Sequence, residues 1–405
     1  MMFFMNTSDS EMKKNRLYCD NAATSFPKPP AVLQAMIDYA TRIGASAGRG
    51  GYAEARASAD VLRTCRERLN QLFNGENPDH FIFTLNCTDA LNLAIKGVLN
   101  PGDHAITTWM DHNSVLRPYH ALGAQTDISY THVPVDGACV VDPEEIRKAI
   151  RPNTRLISVV HGSNVTGVVQ PIREIGRIAK EAGILFLVDA AQSAGHVPID
   201  VQADGMDLLA FPGHKGLLGP LGTGALYIRP GVEKNLRPLR EGGTGSVSEL
   251  DVQPDFMPDR FESGSHNAIG IAGLSEGVNW ILQKTVKVLF EHDQMLCKVF
   301  MQGVSDVDGL RYMGPQGIRN RMGVFSVRID GMDPLALADL LENDYGILTR
   351  AGLHCAPLAH KHLGTVESHG TTRLSFGPFL TAQDVQYAAD AVAKVALEHA
   401  VPVMK

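Results

Sequence analysis

The stretch that decides the fold is residues 183–228, which read GILFLVDAAQSAGHVPIDVQADGMDLLAFPGHKGLLGPLGTGALYI. The apolar run at 184–188 is unbroken, which is typical of a strand covered on both faces in a parallel sheet. Asp189 follows this run directly. We therefore expect Asp189 at the carboxyl end of a buried strand, the edge at which open α/β sheets bind their ligands.

Lys215 is the second residue of this stretch that indicates chemistry. Gly213 and Gly216 flank it, and apolar stretches lead into and out of its loop. On its own, a lysine among glycines is usually solvated or binds phosphate as a point charge, and Asp189 on its own most simply caps the next helix. Together, a strand-end acid and a desolvated lysine are the pyridinium partner and the Schiff-base amine that pyridoxal phosphate (PLP) requires. The sequence thus predicts a PLP enzyme.

The rest of the chain continues the pattern of this stretch. Helical periodicity alternates with short apolar runs from about residue 30 to about residue 230, which predicts a doubly wound α/β fold with a mainly parallel sheet. Residues 231–265 are rich in glycine, proline and charge and are expected to form a long loop. The later runs VFSVRI and TTRLSF indicate a smaller α/β lobe. We expect a large domain at 29–264 and a small C-terminal domain at 265–405.

Composition excludes several classes of protein. The chain has 405 residues, 44% of them hydrophobic, which is enough for two domains. A formal net charge of −7 without a long basic run argues against nucleic acid as a partner. The opening residues 1–16 are expected to be a frayed leader rather than a signal peptide, and no apolar run is long enough to span a bilayer.

The number and spacing of the cysteines indicate the redox state of the compartment. The six cysteines are scattered without CxxC spacing, so neither a zinc site nor a disulfide framework is indicated. They are Cys19, Cys65, Cys87, Cys139, Cys297 and Cys355. A reduced cytoplasmic enzyme is the resulting expectation.

Short motifs extend this interpretation along nearly the whole chain. They are YCDNAATSFPKP at 18–29, NCTDALNLAIKGVL at 86–99, MDHNSVLRP at 110–118, HGSNVTG at 161–167, VDAAQSAGH at 188–196, GHKG at 213–216, RFESGSHN at 260–267, RAGLHCAP at 350–357 and TTRLSFGPF at 371–379. In this order they resemble the class V aminotransferase group of fold-type I PLP enzymes, in particular its cysteine desulfurase and selenocysteine lyase branch. The resemblance implies the fold-type I architecture, with residues 1–28 packing on the small domain.

The resemblance also implies roles around the PLP ring. Lys215 would hold PLP covalently, and Asp189 would pair with the pyridine nitrogen. His112 would stack on the ring and take part in catalysis. Asn164 and Gln192 would lie near the phenolic oxygen of PLP, and Asn164 would also contact the substrate.

A phosphate site is expected where a strand runs into a helix at Cys87 and Thr88. A helix N-terminus presents free N–H groups and the positive end of its dipole, which suits a phosphate. The alternative is that Thr88 or Asp89 is simply the N-cap. The resemblance adds His214 to the cofactor-binding residues. It also implies that Ser265 contacts the phosphate of the partner subunit, and therefore a homodimer with shared active sites.

Cys355 distinguishes between reactions that share the same PLP residues. It lies in the loop TRAGLHCAPLAH, where Arg350 and His354 are predicted to act as cationic neighbours that favour the thiolate. The alternative is a buried cysteine that acts as a small hydrophobic residue, which suits Cys65 and Cys297 better. We therefore expect Cys355 to be catalytic.

Arg373 matches the family arginine that binds the substrate carboxylate, for which the planar guanidinium is suited. Three residues depart from the common pattern of the family. Pro212 stands where desulfurases commonly have a phosphate-binding serine, Leu353 replaces the first histidine of an HHCA motif, and Tyr52 stands where many relatives have histidine. These departures indicate a divergent subgroup.

The reaction expected from these roles is that of a PLP-dependent cysteine desulfurase. L-Cysteine would become L-alanine, and a persulfide would form on Cys355 for transfer to a sulfur acceptor protein. A class V aminotransferase, or a selenocysteine or cysteine lyase acting on a related small amino acid, is the alternative, and the aminotransferase would not need Cys355. A non-enzymatic PLP-sensing or sulfur-delivery scaffold is a further alternative. It would be expected to carry an appended DNA-binding or docking domain, for which the sequence shows no pattern.

Overall fold

A computed structural model of the chain describes residues 16–47 and 50–399. Within them the strands are β1 (Leu17–Tyr18), β2 (Phe81–Thr84), β3 (His104–Thr108), β4 (Ser129–Val133), β5 (Thr154–Val160), β6 (Leu185–Asp189), β7 (Leu208–Pro212), β8 (Gly224–Ile228), β9 (Leu310–Tyr312), β10 (Val324–Ile329), β11 (Ile347–Leu348), β12 (Arg350–Gly352) and β13 (Thr371–Ser375). The α-helices are α1 (Pro30–Asp38), α2 (Ala53–Phe73), α3 (Cys87–Val98), α4 (Asn113–Gln125), α5 (Pro143–Ala149), α6 (Ile172–Ala182), α7 (Ala268–Lys284), α8 (Val286–Val304), α9 (Pro334–Tyr345), α10 (Pro357–His362) and α11 (Ala382–His399). The expected frayed leader lies outside the described residues apart from Arg16.

The large sheet has seven strands in the order β2-β8-β7-β6-β5-β3-β4. All neighbouring strands are parallel except those that pair with β8, which runs antiparallel to both β2 and β7. A parallel crossover takes about a dozen or more residues and usually a helix, whereas the loop at 213–223 between β7 and β8 contains no helix. The predicted α/β fold with a mainly parallel sheet is confirmed, and β8 reverses direction because it follows the lysine loop at once.

Apolar clusters cover both faces of this sheet. Along β6, Phe186 and Val188 belong to one cluster together with Ile175 of α6, whereas Leu187 belongs to another with Leu91 of α3. Alternate side chains of a strand point to opposite faces, so a strand covered on both sides must be apolar throughout. This packing explains the unbroken run at 184–188.

A second, smaller sheet lies in the C-terminal part of the chain. Its four strands are antiparallel in the order β12-β13-β10-β9. Its apolar core joins Phe300 of α8, Phe325 of β10 and Leu374 of β13, and it also takes in Cys19 from the N-terminal segment. Strand β1 pairs in parallel with β11 of the same region.

The division of the chain into domains at 28/29 and 264/265 stays a prediction. Residues 236–267 contain neither helix nor strand. Helix α7 follows them and packs against α1 and α2, and the turn to α8 is made at Thr285 with φ of 66°. Within residues 16–47 and 50–399, no helix has both the length and the apolar character needed to cross a bilayer.

Candidate active site

A cavity opens at the carboxyl edge of the large sheet, where β5, β6 and β7 end. Eight of the side chains predicted from the sequence to serve the site line this one cavity: Cys87, Thr88, His112, Asn164, Asp189, Gln192, His214 and Lys215. The carboxyl ends of neighbouring parallel strands meet at one edge, so residues distant in sequence converge there. Among the described residues, no group of three or more His, Cys, Asp or Glu side chains could hold a metal ion.

Asp189 ends β6 and is only 2% exposed. Its Oδ1 accepts hydrogen bonds from the backbone N–H of Ala191 at 2.9 Å and from Sγ of Cys87 at 3.5 Å, whereas Oδ2 has no donor among the described residues. Burial is the main cause that raises the pKa of Asp189. A buried carboxylate with one free oxygen requires a cation or a donor, and a protonated pyridine nitrogen is such a group.

Lys215 lies on the loop that follows β7, and its Nζ has no hydrogen-bond partner among the described residues. Burial is the main cause that lowers its pKa, and the positive charges of Arg373 and Arg350 act in the same direction. Steric crowding explains why glycine flanks Lys215 on both sides. A Cβ at Gly213 would overlap the side chain of Thr223, and one at Gly216 would overlap the carbonyl oxygen of Ala194.

The N-terminus of α3 faces the same cavity. Its N-cap is Asn86, whose Oδ1 accepts from the N–H of Asp89 at 3.0 Å, so the proposal that Thr88 or Asp89 is the cap is wrong. The N–H groups of Cys87 and Thr88 have no acceptor among the described residues. Two free N–H groups at the positive end of a helix dipole form a cradle for an anion.

His112 is the N-cap residue of α4, and its Nδ1 accepts from the N–H of Ser114 at 3.0 Å. Burial, with the charge of Lys215 as the next cause, lowers the pKa of His112 to about 4. The imidazole is therefore neutral at physiological pH. Since Nδ1 accepts a hydrogen bond, the proton lies on Nε2.

His214 lines the cavity and has a ring nitrogen without a partner in the described part of the chain. Its Nδ1 is buried and has no hydrogen-bond partner among the described residues, and burial lowers the pKa of His214 to about 4. Gln192 donates from Nε2 to the carbonyl oxygen of Ala22 at 3.0 Å. Asn164 donates from Nδ2 to the carbonyl oxygen of His354, which connects the cavity to the cysteine loop.

Cys355 is exposed, whereas the other five cysteines are buried. Its carbonyl oxygen accepts from the N–H of Asn113 at 2.8 Å, so the loop is attached to the start of α4 beside His112. Nη2 of Arg350 lies 4.0 Å from Sγ. His354, however, is buried, and burial lowers its pKa to about 2, so the interpretation of His354 as a cationic neighbour is wrong.

Arg373 is 1% exposed, and it lies on β13 of the small sheet. Its Nη2 donates to Oδ1 of Asp20 at 2.7 Å, and its Nη1 donates to the carbonyl oxygen of Asn164 at 3.2 Å. Each terminal nitrogen carries two hydrogens, so one on each remains for a further acceptor. The predicted role of Arg373 in binding the substrate carboxylate stays a prediction.

Ser265 does not line this cavity. It lies in a separate cleft with Glu262 and His266, and its predicted contact with the partner subunit stays a prediction. Of the three departures from the family pattern, Pro212 lines the active-site cavity, while Leu353 and Tyr52 are 38% and 57% exposed.

Sequence reasoning missed several contacts at the site. Ser114 contacts both Nδ1 of His112, at 2.9 Å, and the hydroxyl of Thr88, at 2.8 Å. Its place two residues after His112, at the start of α4, is the signal that could have identified it. Asp20 and Lys28 both lie in the N-terminal motif, and only the fold brings them to Arg373 and to the lysine loop.

The fold and the cavity together define a protein of the fold-type I class, with a lysine and an aspartate at the edge of a mainly parallel sheet. The sequence profile of the family "Aminotransferase class-V" matches residues 17–388, and the chain belongs to this family. The resemblance predicted from the motifs is thereby confirmed.

Named relatives match nearly the whole chain. A "Probable cysteine desulfurase" of Methanothermobacter thermautotrophicus is 36% identical, over 98% of this chain and 99% of that protein. A "Probable cysteine desulfurase" of Halalkalibacterium halodurans is 32% identical, over 95% and 94% of the two chains. The apo structure of cysteine desulfurase from Thermococcus onnurineus NA1 matches with a TM-score of 0.88 and 29% identity, over 98% of this chain and all of that one.

Proposed function

We propose that the protein is a PLP-dependent cysteine desulfurase, which converts L-cysteine to L-alanine and leaves the sulfur as a persulfide on Cys355. The observation that carries the proposal is the attachment of a loop with an exposed cysteine to the cavity that holds Lys215 and Asp189. The names of the relatives agree with this function.

The residues present fit PLP. The free oxygen of Asp189 would hold the protonated ring nitrogen, and Lys215 would hold the aldehyde carbon. The N–H groups of Cys87 and Thr88, together with Nδ1 of His214, would bind the phosphate and offset the absence of a serine at Pro212. When bound, PLP supplies an electron sink for the carbanion that forms at the substrate Cα.

The side chains around the substrate have complementary tasks. Arg373, a planar donor buried beside Asn164, binds the carboxylate through its remaining hydrogens. Lys215 accepts the proton from the substrate Cα at Nζ, for which its lowered pKa is suited. His112 stays neutral and can donate from Nε2 without adding a charge to the cavity.

Cys355 takes the sulfur. Its thiolate attacks the substrate sulfur, the bond between the substrate Cβ and sulfur breaks, and the electron pair stays with Cβ, which is then protonated to give alanine. One cysteine and one enzyme thiol thus give one alanine and one persulfide, and no external oxidant is required. Arg350, at 4.0 Å, stabilises negative charge on Sγ. A sulfur acceptor protein would then remove the outer sulfur.

We further propose a homodimer in which Ser265 serves the partner's active site, and a cytoplasmic location. Ser265 is exposed and lines a cleft separate from the active-site cavity, which supports a role outside its own site. All six cysteines are free, which agrees with a reducing compartment.

The assay that tests the function incubates the purified protein with L-cysteine and a thiol reductant and measures alanine and sulfide together. We expect equal amounts of both from L-cysteine, and no sulfide when L-alanine replaces L-cysteine. Release of a keto acid, with conversion of PLP to its amine form, would instead support the aminotransferase alternative.

A further inference from the structure

The N-terminal segment 24–28 holds the backbone of the lysine loop. The carbonyl oxygen of His214 accepts hydrogen bonds from the N–H of Ser25 at 3.0 Å, from Oγ1 of Thr24 at 3.0 Å and from Nζ of Lys28 at 2.9 Å. The carbonyl oxygen of Lys215 accepts from Oγ of Ser25 at 2.8 Å. The three donors on the carbonyl oxygen of His214 outnumber its two lone pairs, so the orientation of this carbonyl group is strongly constrained.

These contacts fix the direction of the Lys215 side chain. The two carbonyl groups belong to the peptide units on either side of the Lys215 Cα, and φ and ψ are the only soft backbone torsions between those units. With both peptide units held, the Cα–Cβ bond of Lys215 can point in one direction only. The segment therefore controls where Nζ of Lys215 can reach.

Lys28 also organises Ser25. Its Nζ donates to Oγ of Ser25 at 2.7 Å, so the single hydroxyl hydrogen of Ser25 is left to point towards the backbone carbonyls. The shorter of the two available distances is to Lys215, at 2.8 Å against 3.1 Å to His214. A chain of hydrogen bonds thus runs from Lys28 through Ser25 to Lys215.

The environment of Lys28 is costly for an ammonium group. Lys28 is partly buried, burial lowers its pKa to about 8, and no carboxylate pairs with it among the described residues. Its neighbours Pro27 and Pro29 restrict the backbone, which reduces the entropy lost on ordering. A desolvated cation whose acceptors are one hydroxyl and one carbonyl is an arrangement that stability alone does not favour.

We propose that Lys28 is a positioning residue, which acts through Ser25 and the carbonyl oxygen of His214 to aim the amine of Lys215 into the cavity. The proposal rests on the proposed function only in taking Lys215 as the residue that binds PLP covalently. It assigns to the N-terminal motif a task in forming the enzyme–cofactor bond.

The test measures covalent attachment of PLP without any amino-acid substrate. The cofactor-free protein is mixed with PLP, borohydride is added after short intervals, and the pyridoxyl group on the Lys215 peptide is quantified by mass spectrometry. In Lys28→Met we expect attachment to slow by about tenfold, the effect of losing a hydrogen bond from a charged donor. Lys28→Arg, which retains the cationic donor, should restore most of the rate.

The controls separate positioning from folding. Lys287→Met removes an exposed lysine and should leave the rate unchanged. If Lys28→Met does not fold, Ser25→Ala replaces it and should also slow attachment. The proposal would be overturned if folded Lys28→Met attached PLP at the wild-type rate. If that variant does not fold, a wild-type rate in Ser25→Ala would overturn it. A slow rate in Lys28→Met that Lys28→Arg does not restore would also overturn it. Failure of the wild-type protein to form alanine from L-cysteine would contradict the desulfurase function alone.

Discussion

The charge of each residue at the site depends on its environment more than on its position in the sequence. Arg350 and His354 both lie close to Cys355 in the chain, and the sequence predicts both to be cationic neighbours. The backbone is left-handed at His354 and Cys355, with φ of 48° and 59°, and one side chain is buried while the next is exposed. Nε2 of His354 instead shares a hydrogen bond with the hydroxyl of Thr371, whereas Nη2 of Arg350 lies 4.0 Å from Sγ of Cys355.

Asp189 gives the sharpest prediction at the scale of single residues. Asp189→Asn keeps the shape and can still accept from the N–H of Ala191, but it removes the charge that keeps the pyridine nitrogen protonated. We expect PLP to remain bound and alanine formation to fall by roughly a hundredfold or more. Glu291→Gln, which removes an exposed carboxylate, serves as the control and should act like wild type. Near-normal turnover of Asp189→Asn with PLP fully bound would exclude this acid from the mechanism.

At the scale of elements, the strand that carries Asp189 could be predicted, while the start of the neighbouring helix could not. The run at 184–188 is apolar throughout, which is typical of a strand that is covered on both faces. In NCTDAL, by contrast, Asn86, Thr88 and Asp89 are all residues that cap helices, and sequence alone does not rank them. The structure selects Asn86, because its side chain meets the N–H of Asp89 while Asp89 bonds back to Leu85.

The loop between β7 and β8 gives a prediction about packing. In Gly216→Ala, the new Cβ would overlap the carbonyl oxygen of Ala194 and the ring of His196, and a backbone carbonyl cannot rotate away. We expect the free energy of unfolding to fall by about 1–3 kcal/mol, together with slower attachment of PLP to Lys215. Urea unfolding and borohydride trapping measure the two effects. Gly137→Ala, where a Cβ would meet nothing within 4 Å, is the matched control. Unchanged stability of Gly216→Ala would contradict the packing argument.

At the scale of the whole molecule, the alternation of helices and strands predicts the layered architecture, because each strand must be covered by helices. Contacts between segments that are distant in the sequence could not be predicted from this alternation. The N-terminal residue Asp20 reaches Arg373, and Lys28 reaches His214, through contacts that leave no periodic pattern in the sequence. Such contacts depend on how the sheets pack, which apolar periodicity does not specify.

The buried histidines predict how stability depends on pH. Burial lowers the pKa of eight histidines from the ordinary 6.5. The pKa falls to about 2 in His354 and is also lowered in His132. It falls to about 4 in the other six, which are His104, His112, His161, His196, His214 and His360. Between about pH 4 and 6.5 the unfolded chain therefore binds more protons than the folded chain, and the free energy of unfolding rises with pH. Three carboxylates act in the opposite direction, because burial raises the pKa of Asp189 and raises that of Asp111 and Asp293 to about 7.

The histidines outnumber these carboxylates, so we expect the protein to be more stable at pH 7 than at pH 5 by about 2 kcal/mol or more. Urea unfolding followed by circular dichroism at the two pH values measures the difference. Equal stability, or greater stability at pH 5, would show that the buried histidines do not control the acid response.

The central claim, that Cys355 receives the sulfur of L-cysteine, is tested most directly by mass spectrometry of the wild-type protein after brief exposure to L-cysteine. We predict that the peptide containing Cys355 gains the mass of one sulfur atom, while the peptides of the buried Cys65 and Cys297 gain none. Alanine that accumulates while the Cys355 peptide stays unmodified, or sulfur found on another cysteine instead, would contradict the account.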